Sequence, residues 1–247
     1  MTRSALDWLK RPIAHRGLDE KGAIENSASA VDAAIAANYA IEVDLQCSRD
    51  GRPVVFHDQV LDRLTAETGP VASRDAADLC TIPLRGSQDR ILSLAGLLAL
   101  VDRRVPLLLE VKSTWGRDPR YEANIVEILR PYSGRAAVMS FDPNCVAAFR
   151  RLSPSLPRGL ISEQFEDQNY WSGLSPLKRF AMRHLLTSAI ARPHFIAYDI
   201  KALPALAPTL ARALFGLPLL TWTVRSEAEK VLARRYADAM IFEGVVP

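Results

Sequence analysis

The sequence predicts an α/β fold, a TIM (β/α)8 barrel with a small insertion after the second strand. Three observations predict it. Short apolar runs recur along the 247 residues, with helix-period segments between them. Most of these runs are continuous rather than alternating, as parallel strands covered on both faces require. If one of them, Val54–Phe56, is an excursion from the strand before it, eight strands remain to close a ring.

The runs read as strands are Pro12–Ala14, Ile41–Leu45, Val54–Phe56, Leu107–Val111, Ala137–Met139, Gly159–Ile161, Phe195–Tyr198, Leu219–Thr223 and Ala239–Phe242. The helices between them carry start and stop signals. Ser93 reads as the cap of a helix ending in Arg103 and Arg104, where positive charge suits the helix dipole. Tyr121, Ile125 and Leu129 form an i, i+4, i+8 stripe. Asp142 and Pro143 are an N-cap and a first-turn proline ahead of Val146, Phe149 and Leu152. Leu206, Leu210 and Leu214 build a helix that Gly216 and Pro218 stop. Ser226-Glu227-Ala228-Glu229 is a capping box, with Ser226 and Glu229 in the reciprocal positions.

Residues 58–90, with Gly69-Pro70 and Pro83, have the least regular pattern and read as the insertion. No helical pattern follows the eighth strand, and Ser4–Lys10 is expected to cover that end of the barrel. With no repeat, low-complexity tract or linker, residues 1–247 are expected to form one domain.

Composition narrows the class of function. Hydrophobic residues make up 49% and charged residues 24% of the chain, which excludes a disordered tail, a collagen-like repeat and a polytopic membrane protein. A net charge of +3 is too mild to imply a nucleic-acid partner. Cys47, Cys80 and Cys145 form no C-x-x-C pair, so neither a disulfide framework nor a zinc knuckle is indicated. The first residues hold no signal-peptide core, and the longest apolar stretch, Ile91–Val101, is too short for a bilayer. A cytoplasmic location in a reduced compartment is the expectation.

In such a barrel the chemistry sits at the C-terminal ends of the strands. Sorted by that rule, the polar residues concentrate early in the chain. The first strand ends in His15-Arg16-Gly17, the second carries Glu42 and Asp44, and the excursion ends in His57-Asp58. The third carries Glu110 and Lys112, the sixth ends near Asp199 and Lys201, the seventh has Trp222 and the eighth ends at Glu243.

Glu42 and Asp44, two apart on a strand, point to one face. Two carboxylates aimed into an apolar barrel repel each other unless a cation sits between them. Glu110 on the neighbouring strand can supply a third oxygen, and an all-oxygen set favours one Mg²⁺ or Ca²⁺ over zinc. The competing reading pairs these acids with Arg16 or Lys112 as internal salt bridges. His15 and His57 flank the carboxylate strand, where one can donate a proton and the other accept one. His184 and His194 lack such company and read as structural. Arg16 and Lys112 add positive charge beside the acids, which suits phosphate better than a neutral sugar. The segment Thr221–Ser226 contains no glycine, so a phosphate grip made of backbone is not expected there.

His15-Arg16-Gly17, Glu25-Asn26, Glu42-x-Asp44, Asp50-Gly51, Val54-Val55-x-His57-Asp58 and Glu110-x-Lys112 together resemble the glycerophosphodiester phosphodiesterases, as does the later Thr221-Trp222-Thr223-Val224. The resemblance implies hydrolysis of a small-molecule glycerophosphodiester to glycerol 3-phosphate and an alcohol, a step in glycerol and lipid metabolism. By the same match Glu42, Asp44 and Glu110 would hold the divalent cation, His15 and His57 would be the acid–base pair, and Arg16 and Lys112 would contact phosphate. Ile24, Ser27, Tyr39-Ala40-Ile41 and Ile241-Phe242-Glu243-Gly244 depart from the family's usual residues, which bears on head-group choice rather than on the chemistry.

Two rival functions stand beside this one: a lysophospholipase D acting on single-chain lysophospholipids, and a phosphodiester-binding barrel without catalysis. Ser175–Ile190 bears on the first, since Lys178, Arg179, Arg183 and His184 alternate there with Leu177, Phe180, Leu185 and Leu186, just after Tyr170-Trp171. Such a helix can rest on anionic lipid, although an ordinary barrel helix with a solvated basic face is the favoured reading. Trp222 is expected either to bind substrate or to pack in the core, and Trp115 and Phe141 to shape an apolar rim.

Overall fold

A computed structural model of the protein describes residues 3–18, 22–116, 118–167 and 171–247. Its strands are β1 (Ile13–Ala14), β2 (Ala40–Cys47), β3 (Pro53–Val55), β4 (Leu92–Ser93), β5 (Leu107–Val111), β6 (Ala136–Ser140), β7 (Arg158–Ser162), β8 (Phe195–Asp199), β9 (Leu219–Val224) and β10 (Ala239–Phe242). Its helices are α1 (Ala28–Ala36), α2 (Ala76–Leu79), α3 (Leu94–Val101), α4 (Arg120–Leu129) and α5 (Pro143–Leu152). They continue with α6 (Pro176–Arg183), α7 (Ser188–Ala191), α8 (Leu206–Phe215) and α9 (Glu227–Tyr236).

Eight strands pair in parallel around a ring, β1-β2-β5-β6-β7-β8-β9-β10 and back to β1. This is the TIM barrel that the sequence predicts. Outside the ring, β3 lies antiparallel on β2 and β4 antiparallel on β3. The excursion is therefore real, shifted by one residue, and returns through a strand of two residues too short to carry a period. The insertion between β3 and β4 folds over its own apolar cluster, including Phe56, Leu61, Val71, Leu79 and Ile91.

Period-two alternation decides what faces inward. Ile41, Val43 and Leu45 of β2 and Leu107, Leu109 and Val111 of β5 pack outward against the helices. Ala40, Leu108, Ala137, Ile161, Phe195, Ala197, Leu220 and Ile241 fill the interior. Phe195 has room because β7 carries Gly159, where a Cβ would lie 2.1 Å from the Phe195 ring. At the N-terminal ends of the strands a 3₁₀ helix over Arg3–Lys10 closes the barrel, with Leu6, Trp8 and Leu9 joined to the interior cluster. The same alternation carried toward the other end makes the inward positions polar or ionisable, which is where a site can form.

Several local expectations hold and several shift. Tyr121, Ile125 and Leu129 are buried, and Asp142 caps α5 by accepting from Asn144 N at 2.9 Å. Ser226 caps α9, but Glu229 Oε2 reaches Arg225 N at 2.7 Å, one residue before the expected partner. Helix α3 stops at Val101 rather than at Arg104, because Asp102 and Arg103 take left-handed conformations with φ of 41° and 63°. Arg104 still bonds back to Val101 O at 3.2 Å, so the positive charge meets the helix end as the dipole favours.

Helix α8 turns its leucine stripe to solvent. Leu206, Leu210 and Leu214 are 74%, 42% and 69% exposed, while Pro208 and Ala211 meet the barrel. Spacing defines a stripe without defining the side on which it lies, and the smaller residues allow the closer approach here. The basic segment is two helices, α6 and α7, and its exposed surface is apolar as well as basic, with Leu177 and Phe180 outward. Tyr170 lies outside the described residues. Among those described, no helix is long and apolar enough to cross a membrane, and Cys47, Cys80 and Cys145 are free thiols.

Candidate active site

The ends of β1, β2, β3, β5 and β10 converge on one point. His15 N donates to Phe242 O at 3.0 Å, extending the pairing of β1 with β10 by one residue. Arg16 and Gly17 then turn sharply, with φ of 57° and 86°. Only glycine fits the second position, since a Cβ there would lie 2.8 Å from Ala30 on α1. The turn brings Arg16 N to Glu42 Oε2 at 3.0 Å and lets Arg16 O accept from Asn26 N at 2.8 Å.

Glu42 and Asp44 are buried, pointing inward from β2, and Glu110 stands opposite Asp44 in the register with β5. The three carboxylates offer oxygens within 4.8 Å of one another. Lys112 Nζ lies 2.8 Å from Asp44 Oδ1 and also bonds Glu110, and Arg16 Nε lies 3.1 Å from Asp44 Oδ2. The expected cluster and the expected salt bridges are thus both present. Three acids face two cations, and the surplus falls on Glu42. Burial, then Asp44 and Glu110, push its carboxyl well above the usual range. Burial also opposes ionisation of Asp44, but Lys112 and Arg16 outweigh it and hold that carboxyl well below the usual range.

Glu42 Oε1 is buried and has no hydrogen-bond partner among the described residues. An orphaned carboxylate oxygen is costly unless something positive reaches it. Glu42, Asp44 and Glu110 together offer carboxylate oxygens, the donor set of a hard divalent cation. The cluster could hold a metal ion.

Each histidine is tethered through Nδ1. His15 Nδ1 lies 2.5 Å from Glu243 Oε2 and its Nε2 lies 4.0 Å from Glu42 Oε2. His57 Nδ1 lies 2.7 Å from Asp58 Oδ1, while Gln46 Nε2 holds its carbonyl at 2.8 Å. Burial, working against the pull of Asp44, pushes the His57 ring below its ordinary pKa. Arg63, from the insertion, clamps Asp58 at 2.6 and 2.9 Å and Glu25 at 2.7 and 3.0 Å. Glu25 in turn accepts from Arg16 Nη1 at 2.8 Å. The charged ends of Arg16 and Lys112 therefore reach the centre already bonded to carboxylates.

A cavity of about 700 Å³ opens from His57, Glu110 and Lys112 past Ser113 and Asp142 to Trp115, Phe141 and Trp171. The expected aromatic rim is in place, with Lys178 Nζ 4.4 Å over the Trp115 ring. Trp222 stands edge-on to Phe141 at 5.6 Å, and its indole nitrogen is buried without a hydrogen-bond partner among the described residues. His184 stacks on Phe180 and His194 lies beside Arg158 N, both away from the centre. Asp199 caps the turn at Lys201.

Residues 15–245 match the sequence profile of the glycerophosphoryl diester phosphodiesterase family. The chain belongs to that family. As a glycerophosphoryl diester phosphodiesterase family member it is 28% identical over 159 residues to the glycerophosphodiester phosphodiesterase of Caldanaerobacter subterraneus, spanning 60% of this chain and 65% of that relative. It is 25% identical over 211 residues to the Bacillus subtilis enzyme of that name, spanning 76% of this chain and 68% of the relative. A phosphodiesterase of Oleispira antarctica, solved with sn-glycerol-3-phosphate, shares the fold with a TM-score of 0.77 at 21% identity, over 96% of this chain and 94% of that one.

Within this family member, Glu42, Asp44, Glu110, His15, His57, Arg16 and Lys112 lie together at the strand ends, whereas His184, His194 and the Asp199–Lys201 turn do not join them. Sequence reasoning gave no role to Asn26, Gln46, Arg63, Arg225 or Glu243. Gln46 was within reach, since it continues the inward alternation of Glu42 and Asp44. Arg63 lies in the irregular insertion, where no period points to a partner.

Proposed function

We propose that this protein is a metal-dependent phosphodiesterase that hydrolyses glycerophosphodiesters to glycerol 3-phosphate and an alcohol, acting as one barrel domain over residues 1–247. One observation carries the reading: the carboxylates of Glu42, Asp44 and Glu110 meet beside two histidines that are each held by a carboxylate at Nδ1. Those three acids would hold one Mg²⁺ or Ca²⁺, whose bound charge polarises the phosphoryl oxygens and offsets negative charge in the transition state.

The chain's own groups do the proton work. One of His15 and His57 takes a proton from the attacking water as its oxygen bonds to phosphorus. The other gives a proton to the alcohol oxygen as the second P–O bond breaks. Arg16 and Lys112 add positive charge where phosphate oxygens would lie, and the free Trp222 indole N–H offers a donor to substrate. The neighbour solved with sn-glycerol-3-phosphate supports the choice of product.

A lysophospholipase D reading draws on the aromatic wall of Trp115, Phe141 and Trp171 and on exposed Leu177 and Phe180 beside it. Alcohol release from glycerophosphocholine and from lysophosphatidylcholine, each with Mg²⁺, Ca²⁺ or EDTA, separates the two. Turnover of the soluble diester that EDTA abolishes is the expected result. Turnover of the lysolipid alone would move the activity to membrane lipid, and saturable binding without turnover of either would make the barrel a binding protein.

A further inference from the structure

Glu243 sits where the last strand of the barrel meets the first. Ile13 pairs with Ile241 and Ala14 with Phe242, so the next residues on the two strands, His15 and Glu243, come side by side. Glu243 Oε2 lies 2.5 Å from His15 Nδ1. The same oxygen accepts from Arg225 Nη2 at 2.9 Å, an arginine just beyond the end of β9. The other ring nitrogen of His15 is the one nearer the acid cluster, 4.0 Å from Glu42 Oε2.

An imidazole with nothing at Nδ1 can turn over about its Cβ–Cγ bond and can hold its proton on either nitrogen. A carboxylate accepts only, so it selects the tautomer with hydrogen on Nδ1 and leaves the Nε2 lone pair facing the centre. The geometry points to Glu243 as a positioning residue for His15, steadied by Arg225, for the reaction proposed above. His57 has its own holder in Asp58, and Arg63 clamps that carboxylate with two bonds, whereas a single bond from the half-exposed Arg225 reaches Glu243.

Two measurements test the assignment. The first is made on metal-free protein, so it does not depend on turnover. Long-range proton–nitrogen spectra of the histidine rings, with His15 assigned by its loss in His15→Asn, report which nitrogen carries hydrogen. The Nδ1–H form is expected in the native protein, and its loss or mixing in Glu243→Gln. The second is steady-state turnover of glycerophosphocholine. Glu243→Gln should lower kcat by roughly 10–100-fold with KM changed less than about 3-fold, because orientation of an acid–base group is lost while substrate contacts remain. Glu243→Asp should recover most of that loss, and Arg225→Met should cost only about 3-fold.

An unchanged His15 tautomer in Glu243→Gln would overturn the proposal, whatever the rate. So would full kcat in Glu243→Gln, or a Glu243→Asp variant no better than Glu243→Gln. A native protein that shows the Nδ1–H tautomer and turns over no diester would count against the phosphodiesterase reading and leave the positioning contact standing.

Discussion

Asn26 and Asp44 bond to each other twice: Asn26 Nδ2 donates to Asp44 Oδ2 at 2.9 Å, and Asp44 N donates to Asn26 Oδ1 at 3.1 Å. The amide thus fixes both the backbone and the carboxylate of one strand residue. Asn26 does this from a left-handed backbone, φ 60°, a conformation that asparagine tolerates better than most residues. Replacing it separates the contribution of the bonds from that of the conformation. Asn26→Gly, which keeps the φ without strain, is expected to lose ~1–3 kcal/mol for the unpaired buried groups. Its affinity for Mg²⁺ or Ca²⁺ by titration calorimetry should fall ~10–100-fold, as for an outer partner of a metal ligand. Asn26→Ala should be less stable again.

Glu42→Gln tests the acid cluster through stability alone. The native carboxyl has its pKa raised, so the folded state holds a proton that the unfolded state gives up, and stability is lost as pH climbs above the ordinary 4.5. An uncharged amide removes that cost. The variant should therefore melt no lower than the native protein in EDTA. Native protein should gain roughly 5–10 °C at saturating metal, and the variant little or nothing.

His57→Ala should lower turnover of glycerophosphocholine by ~10²–10⁴-fold, the usual worth of one acid–base group. Circular dichroism and melting should stay close to native, since the ring is partly exposed and its loss opens no core cavity. A rate near that of the native enzyme would remove His57 from the chemistry.

The outward stripe of α8 gives an opposite pair of expectations from one helix. Leu214→Gln should change the urea midpoint by less than about 0.5 kcal/mol equivalent, as at other surface positions. Ala211→Leu should cost ~1–3 kcal/mol by overpacking against the barrel.

His194 predicts a pH response unrelated to the centre. Burial, then Arg158, lower its pKa to about 4. Between that value and its ordinary 6.5 the unfolded chain binds a proton that the folded chain refuses, so stability rises with pH across this window. Melting followed from pH 4 to pH 7 should show the slope, and His194→Asn should flatten it by on the order of 1 kcal/mol after solvent screening.

The parts legible in the sequence were those governed by a period or a fixed offset. Ring strands such as Leu107–Val111 and Ala239–Phe242 announced themselves as apolar runs, and Glu42 and Asp44 shared a face by arithmetic. What stayed hidden depends on which far-off segments meet. Arg63 joins Glu25 to Asp58 across the insertion, and Glu243 meets His15 only through strand pairing. Helix α8 adds a subtler case, where spacing marks the stripe and says nothing of the side on which it lies.

The pairing of β1 with β10 also sets a timetable. His15 and Glu243 are separated by 228 positions, a contact of the slowest-forming kind. At ribosomal speed the chain between them takes roughly 10–50 s to make. For that interval the growing polypeptide carries His15 without the carboxylate that tethers its Nδ1, and β1 has one neighbour instead of two. Ring closure therefore waits until β10 has been made, and the first appearance of the His15–Glu243 contact on a translating chain would date it.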